Sequence, residues 1–250
     1  TTLRSVLARD IKILVVTGKA PQLTSQCIAP LKLPMVCLDG AVHITEGIQR
    51  WTDGSILEEI VVKDLLTVSE APCYVIASGV THVRGVVETN QFIDWSDQVV
   101  RLMPNSQLSR ITHLVFPSRD RHMLADLSCR VSKVSQSLGK NTFSFFLSEE
   151  PFFGAYSLFI RSSGCSKLQG MAALARRLNF TLDQTMFIGD WINDIPLLQA
   201  VGFPVVMRQA PLRVSICARA TTLFTNDEEG VSRFLQSFFL SHRIGNDHQL

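Results

Sequence analysis

A short apolar run that ends in Gly-Asp constrains the fold of this chain more than any other segment. Residues 185–188 have the length and apolar character of a buried strand, and Gly189 and Asp190 follow directly. Open α/β sheets place their ligand-binding groups at the carboxyl ends of their strands. The segment therefore predicts a strand with the Asp190 carboxylate at the carboxyl edge of the sheet, where ligands bind.

The segments around this run have the alternating pattern of an α/β fold. Residues 167–179 carry apolar side chains at helical spacing, and residues 203–207 form a further strand-like run. Near the start, residues 11–16 are apolar and β-branched, which predicts a strand buried on both faces, and Thr17-Gly18 follows as a loop. Both ends of the chain thus predict one Rossmann-like core with a parallel sheet.

The middle of the chain follows a different pattern. Short strand-like stretches occur at residues 73–77, 83–88, 112–116, 141–147 and 155–161, with one clear amphipathic helix at residues 121–138. Several strands with few helices predict an inserted α+β domain with a largely antiparallel sheet. We expect residues 1–39 and 164–250 to form the core and residues 40–163 to form the insert.

Composition excludes several classes of protein. The net charge is +2 and the basic residues are scattered, which argues against a nucleic-acid partner, because such binding needs a dense stripe of Lys and Arg. No apolar run reaches the length of about 20 residues that a membrane-spanning helix requires. The six cysteines show no CxxC spacing and lie mostly in apolar runs, so we expect buried free thiols in a reducing, cytoplasmic compartment.

The loop after the 185–188 strand carries the strongest chemical signal. Asp190, Asn193 and Asp194 place three oxygen-bearing side chains within five residues. Carboxylate oxygens suit a hard cation such as Mg²⁺. The alternative is an Asp-rich turn that caps the helix starting near Pro196.

Thr17 and Lys167 are weaker candidates when each is taken alone. The Thr17 hydroxyl and the backbone N–H groups from Gly18 onward could hold a phosphate oxygen, although many strands end in a threonine. Lys167 begins a helix that Ser166 is expected to cap, and the helix dipole disfavours a cation there. A lysine in that position needs either solvent or an anionic partner.

Taken together, these residues resemble motifs two, three and four of the haloacid dehalogenase (HAD) superfamily, in its Cof-type branch with a class IIB cap. Ser166-Lys167 is similar to the SKG of that branch, with Leu168 in place of Gly. The segments GDWINDIPLLQAVGFPVVM (189–207) and TNDEEGV (225–231) resemble its later signatures. Asp39-Gly40-Ala41 resembles the NGA at the start of the cap, with Asp for Asn.

The resemblance implies a HAD core with an inserted cap and assigns roles to the site residues. Thr17 and Lys167 would be catalytic and would bind the transferring phosphoryl group, with Gly18 and Asn193 on the phosphate side. Asp190 and Asp194 would hold Mg²⁺. The implied function is a Mg²⁺-dependent phosphatase that acts on small phosphorylated metabolites such as sugar phosphates. The sequence names neither the substrate nor the oligomeric state.

One part of the family pattern is missing from the sequence. The nucleophile of the family belongs to a DxDGT motif after the first core strand, and no such motif occurs here. Asp10 precedes a strand-like run and does not fit. We therefore expect a core without its first strand and little or no turnover by the chain itself. The alternative is a catalytically degenerate relative that serves as a binding or structural protein.

Overall fold

The computed structural model describes residues 2–86, 98–103, 106–138, 142–150 and 155–241. The chain divides into two compact units. The first unit consists of Thr1–Val15 and Met171–Leu250, and the second consists of Val16–Gly170. The core and cap boundaries expected from the sequence stay a prediction.

Eight helices and thirteen strands are formed by the described residues. The helices are α1 (Thr2–Leu7), α2 (Pro21–Ile28), α3 (Glu59–Thr67), α4 (Arg121–Ser137), α5 (Lys167–Leu178), α6 (Ile195–Leu198), α7 (Leu212–Ser215) and α8 (Gly230–Leu235), which continues as a π-helix over Gln236–Leu240. The strands are β1 (Val15–Val16), β2 (Met35–Cys37), β3 (Val42–Thr45), β4 (Ile48–Trp51), β5 (Cys73–Ala77), β6 (Val80–Arg84), β7 (Val99–Arg101), β8 (Ile111–Ser118), β9 (Phe143–Glu150), β10 (Ala155–Ser162), β11 (Met186–Gly189), β12 (Phe203–Val206) and β13 (Ala220–Thr221). Short 3-10 turns occur at Leu38–Gly40, Leu182–Gln184 and Ile192–Asp194.

The second unit is built around a six-stranded sheet with the order β7-β6-β5-β8-β10-β9. All of its neighbouring strands are antiparallel except β6 and β7, which are parallel. Helix α4 packs on β8, β9 and β10, and its buried side chains include Leu124, Leu127 and Val131. This confirms the largely antiparallel sheet and the amphipathic helix that the sequence pattern predicts.

A smaller four-stranded sheet in the order β1-β2-β3-β4 positions part of the candidate site. Strands β2, β3 and β4 are antiparallel neighbours, and the Leu38–Gly40 turn connects β2 to β3. Leu38 and Asp39 both have a φ of 50°, in the left-handed region that few residues other than glycine adopt. The turn is buried, so a polar side chain in it must find partners within the protein.

The first unit contains a parallel sheet of the order β11-β12-β13. Helix α6 follows β11 and helix α7 follows β12, which gives the strand–helix alternation of a parallel sheet. Leu198, Val206 and Val214 are fully buried and form the centre of a small hydrophobic cluster. The α/β class expected from the sequence is confirmed, with parallel strands at the Gly-Asp segment.

The bounds of two predicted strands need correction. The apolar run at residues 11–16 forms strand only at Val15–Val16, and both of these valines are half-buried rather than buried on two faces. A strand needs a hydrogen-bonded partner, and only these two residues pair with β2. The predicted strand at residues 83–88 is instead β6, which begins at Val80; residues 87 and 88 lie outside the described part of the chain.

Membrane insertion through a helix finds no support in the described part of the chain. None of its helices combines the length and the apolar character needed to cross a bilayer.

We predict that Asp120 stabilises the second unit by capping α4. Its Oδ1 accepts hydrogen bonds from the backbone N–H groups of His122 and Met123 at 2.9 and 3.1 Å. Asp120→Ala should lower the free energy of urea unfolding by about 1 kcal/mol, the usual value for a lost N-cap. Asp126→Ala, at an exposed position of the same helix, is the control and should change it by less than about 0.5 kcal/mol. Equal losses in the two variants would contradict the capping role.

Candidate active site

The loop after β1 presents Thr17 with its hydroxyl held in place. The Thr17 N–H donates to the Val36 carbonyl at 2.8 Å, which fixes the backbone beside β2. The Lys19 N–H donates to Thr17 Oγ1 at 3.1 Å. The hydroxyl therefore keeps its own hydrogen for donation to an acceptor, whereas the Lys19 N–H is engaged within the loop. The phosphate-binding role predicted for Thr17 and Gly18 stays open through the hydroxyl and the Gly18 backbone.

A buried carboxylate lies directly against this loop. Asp39 is only 2% exposed, and its N–H donates to the Thr17 carbonyl at 3.2 Å. A Cβ atom added to Gly18 would lie 3.2 Å from Asp39 Oδ1, so the carboxylate packs on the glycine. The family resemblance in the sequence placed Asp39 only at the start of the cap and missed it as a site residue. The signal that could have identified it is a charged Asp, within an apolar run, at a position where the family pattern has Asn.

Positively charged and polar groups surround the Asp39 carboxylate. Arg161 Nη1 and His113 Nε2, from the neighbouring strands β10 and β8, lie 3.5 and 3.6 Å from Asp39 Oδ2. Burial alone would raise the pKa of Asp39. Contact with His113 and the charges of Lys167 and Arg161 outweigh it and hold the pKa of this carboxyl well below its usual range. Asp39 is therefore an anion at neutral pH.

His113 is a neutral partner of this carboxylate at neutral pH. Its imidazole is completely buried, and Nδ1 contacts the Thr112 hydroxyl at 3.0 Å. Burial lowers the pKa of His113 below its ordinary value, although the charge of Asp39 acts in the opposite direction. The contact between the two side chains is therefore a polar contact to a neutral ring rather than an ion pair.

Lys167 is brought to the same region by the start of α5. The Ser166 hydroxyl accepts the Gln169 N–H at 3.2 Å, which confirms Ser166 as the cap of this helix. The lysine is 8% exposed, and its charge acts on the Asp39 carboxylate. The anionic partner that a lysine at a helix start requires is thus supplied by Asp39.

Close glycine contacts fix the start of α5 against the Leu38–Gly40 turn. A Cβ on Gly40 would fall 1.8 Å from the Ser166 carbonyl oxygen, and one on Gly170 would fall 2.5 Å from the Gly40 Cα. Gly40 also has a φ of +101°, which L-residues with a side chain rarely adopt. Only glycine fits at either position, so the two backbones approach closely enough to bring Asp39 and Lys167 together.

The acidic loop in the first unit is organised by one of its own carboxylates. Asp194 is 2% exposed, and its Oδ2 accepts the N–H groups of Asp190 and Trp191, both at 3.0 Å. A Cβ on Gly189 would lie 2.9 Å from the Asp194 Cβ, which explains the glycine before Asp190. Asp194 makes no side-chain hydrogen bond to the start of α6, so it closes the preceding turn rather than capping that helix.

The loop after β12 reaches Asp190 from the side. Gln209 Nε2 lies 3.5 Å from Asp190 Oδ2 and can donate to it. The neighbouring Arg208 turns away and donates to the Leu223 carbonyl at 3.0 Å. Gln209, where the family pattern has Asn, therefore still contacts the first carboxylate of the loop.

The acidic loop fits Mg²⁺ in the nature of its donors, with a limit on their number. No group of three or more His, Cys, Asp or Glu side chains is close enough to hold a metal ion among the residues that the structure describes. Mg²⁺ is commonly bound through one or two protein carboxylates, with waters and substrate phosphate completing its octahedron. Asp190 and Asp194 are carboxylates of this kind, and their role as ligands of Mg²⁺ stays a prediction.

The predicted site residues thus fall into two groups. Thr17, Gly18 and Lys167 belong to the second unit, where they surround Asp39; Asp190, Asn193 and Asp194 belong to one loop of the first unit. Each group is internally organised as described. The convergence of both groups on a single substrate stays a prediction.

The comparison with protein families gives a match over nearly the whole chain. The profile of the haloacid dehalogenase-like hydrolases matches residues 1–235. Phosphatase YwpJ of Bacillus subtilis is 39% identical over 77 residues, which cover 31% of this chain and 27% of that protein. The aligned part is thus less than a third of this curated relative.

Solved structures match the chain over a much larger share. A haloacid dehalogenase-like hydrolase from Bacteroides thetaiotaomicron has a TM-score of 0.76 and 16% identity, and the match covers 95% of this chain and 90% of that one. A sugar phosphatase of HAD subclass IIB has a TM-score of 0.70 and 19% identity, covering 95% and 89%. At these identities the likeness establishes the fold.

We predict that Asp194 matters more for stability than Asp190. Asp194→Ala removes the acceptor of two partly buried backbone N–H groups and should lower the free energy of unfolding by about 2–3 kcal/mol. Asp190→Ala removes a less buried carboxylate and should cost less than about 1 kcal/mol. Urea unfolding without divalent cations measures both. A larger loss for Asp190→Ala would show that the loop is held in another way.

We also predict a pH dependence of stability that arises from His113. Its pKa is lower in the folded than in the unfolded chain, so unfolding takes up a proton as the pH falls below about 6.5. The chain should therefore lose on the order of 1 kcal/mol of stability between pH 7 and pH 5.5 through this residue. Urea unfolding at both pH values should show a smaller difference for His113→Gln. His122→Gln, at an exposed position, should keep the parental difference; equal differences in all three proteins would contradict the assignment.

Proposed function

Because the chain belongs to the haloacid dehalogenase-like hydrolases, of the Cof type, we propose that it forms most of a Mg²⁺-dependent phosphatase for small phosphorylated metabolites. The family supports a phosphatase-type hydrolase, and the fold supports the Cof-type core with its cap. The metal requirement, the substrate and the activity of this chain are part of the proposal.

The arrangement of Thr17, Gly18 and Lys167 around one buried turn is the observation that carries this proposal. A hydroxyl with a hydrogen left to donate and a buried ammonium group lie on the two segments that pack against Leu38–Gly40. Both groups can bind an oxyanion, and phosphoryl transfer depends mainly on such positioning and charge neutralisation. Thr17 and Lys167 would hold the transferring phosphoryl group, and the Gly18 backbone would support it.

The acidic loop would bind the metal ion and complete the phosphate site. Asp190 and Asp194 would hold Mg²⁺, which neutralises charge on the phosphate when bound. Asn193, in the same loop, would support the phosphate side. Gln209, in contact with Asp190, would orient that carboxylate.

The nucleophile is the element that these 250 residues do not supply. No DxDGT motif follows an apolar strand, so the carboxylate that attacks phosphorus would come from outside this sequence. A second candidate follows from the same observation: a degenerate relative that binds a phosphorylated ligand without turnover. The curated relative YwpJ is matched over only 27% of its length, so its activity enters here as an analogy.

The class of substrate is proposed from the fold and the compartment from the cysteines. The structural neighbour of subclass IIB is a sugar phosphatase, which makes sugar phosphates the first candidates. All six cysteines are free thiols, which supports a reducing compartment such as the cytoplasm. The expectation that these thiols are buried is wrong for Cys27 and Cys129, which are exposed.

We predict Mg²⁺-dependent hydrolysis by the product of the full reading frame that encodes these residues. With para-nitrophenyl phosphate as substrate, Asp190→Ala and Lys167→Gln should each lower kcat/KM by two orders of magnitude or more, because the first removes a ligand of Mg²⁺ and the second removes a positive charge that stabilises the transition state. Asp183→Asn, an exposed acid of the same unit as Asp190, is the control and should retain activity. The 250-residue chain itself should bind inorganic phosphate but release little product.

Two outcomes would count against the proposal. Hydrolysis that survives Asp190→Ala undiminished would refute the metal assignment. If the product of the full reading frame binds phosphate through Lys167 but hydrolyses no phosphomonoester, the second candidate, a relative that binds without turnover, is favoured.

A further inference from the structure

Asp39 places a permanent negative charge beside a site proposed to bind an anion. Its carboxylate contacts Gly18, and its backbone N–H donates to the Thr17 carbonyl. A phosphate held by the Thr17 hydroxyl would therefore lie within the roughly 10 Å over which charges interact appreciably, and the charge of Asp39 is itself buried. Where the family pattern has an uncharged Asn, this chain has an anion that opposes phosphate.

Arg161 balances this anion from the six-stranded sheet. Its side chain is 10% exposed, Nη1 lies 3.5 Å from Asp39 Oδ2, and the guanidinium lies over the Phe146 ring at 5.4 Å. Its Nε and Nη1 make no hydrogen bond, so the charge of Asp39 is its principal compensation. Because His113 is neutral, Asp39 carries a negative charge on which the two cations Arg161 and Lys167 act.

We propose that Asp39 is an internal counter-anion of the phosphate site, which pairs with Lys167 and Arg161 in the absence of ligand and limits the retention of inorganic phosphate. The inference rests on the proposed function, since inorganic phosphate is the product of phosphomonoester hydrolysis. Asp39 acts on a bound phosphate through space and through Lys167, and it needs no contact with the substrate.

The charge balance gives an ordered expectation for binding of inorganic phosphate by the chain. Asp39→Asn keeps the shape of the side chain and removes its negative charge, so phosphate should bind about three- to tenfold more tightly. Arg161→Gln removes a positive charge and should weaken binding by a similar factor. The double variant Asp39→Asn/Arg161→Gln restores the parental charge and should bind phosphate about as the parent does.

Isothermal titration of the full chain with inorganic phosphate, at low ionic strength and without divalent cations, measures these affinities. Asp126→Asn, an exposed acid of the same unit, controls for the change in overall charge and should bind as the parent does. Asp39→Asn/Lys167→Gln tests the location of the bound phosphate and should lose the tighter binding. Asp39→Asn could fail to fold because it leaves the charge of Arg161 uncompensated. In that case the double variant Asp39→Asn/Arg161→Gln, which loses one buried charge of each sign, is compared with Arg161→Gln alone.

The outcomes separate this inference from the proposed function. Tighter binding by Asp39→Asn supports the counter-anion, including the case in which only this variant binds measurably. Equal or weaker binding by a folded Asp39→Asn, when the parent binds, assigns Asp39 a structural role and overturns the inference while leaving the phosphate site intact. Binding by neither protein overturns the inference, whereas the proposed function is decided separately by the Mg²⁺-dependent hydrolysis assay. Tighter binding that persists without Lys167 places the phosphate elsewhere and also overturns the inference.

Discussion

The close approach of two backbone segments determines the rest of the phosphate-side arrangement. Gly40 and Gly170 let the Leu38–Gly40 turn touch the first turn of α5 at distances that no side chain allows. The turn is also held to Lys19 and Thr17 by backbone hydrogen bonds from Leu38 and Asp39. The loop after β1 and the start of α5 therefore share one rigid neighbour, although almost the whole second unit separates them in sequence.

This contact creates an electrostatic problem that the six-stranded sheet resolves. The turn buries Asp39, and a buried carboxylate without partners would be strongly unfavourable. Arg161 and His113 extend from β10 and β8, and Lys167 contributes a charge from α5. Residues of the expected cap and of the expected core thus meet at one carboxylate. The charges around Asp39 therefore depend on residues from both parts of the chain.

The sequence predicted the parts of the fold whose signals are local. The helix at 121–138 and the strand at 73–77 follow from periodicity and apolar runs, and the structure has them at Arg121–Ser137 and Cys73–Ala77. Strands β2 to β4 escaped prediction because they have only three or four residues and are defined by pairing with one another. The run at 11–16 misled because apolar composition alone does not form a strand without a partner along its length. The partners of Asp39 were also out of reach, since His113 and Arg161 lie far from it in sequence.

Two buried carboxylates, Asp39 and Asp194, show why residue type alone does not determine a role in such a site. Asp39 and Asp194 are equally buried, each at 2% exposure. Asp194 accepts two backbone N–H groups, so its charge is used to shape the loop that carries Asp190. Asp39 instead faces side-chain cations, so its charge acts on the groups that would meet phosphate. A carboxylate satisfied by backbone donors holds the geometry of its loop, whereas one that faces buried cations sets the local charge. The motif located both acids, and only their partners distinguish the two functions.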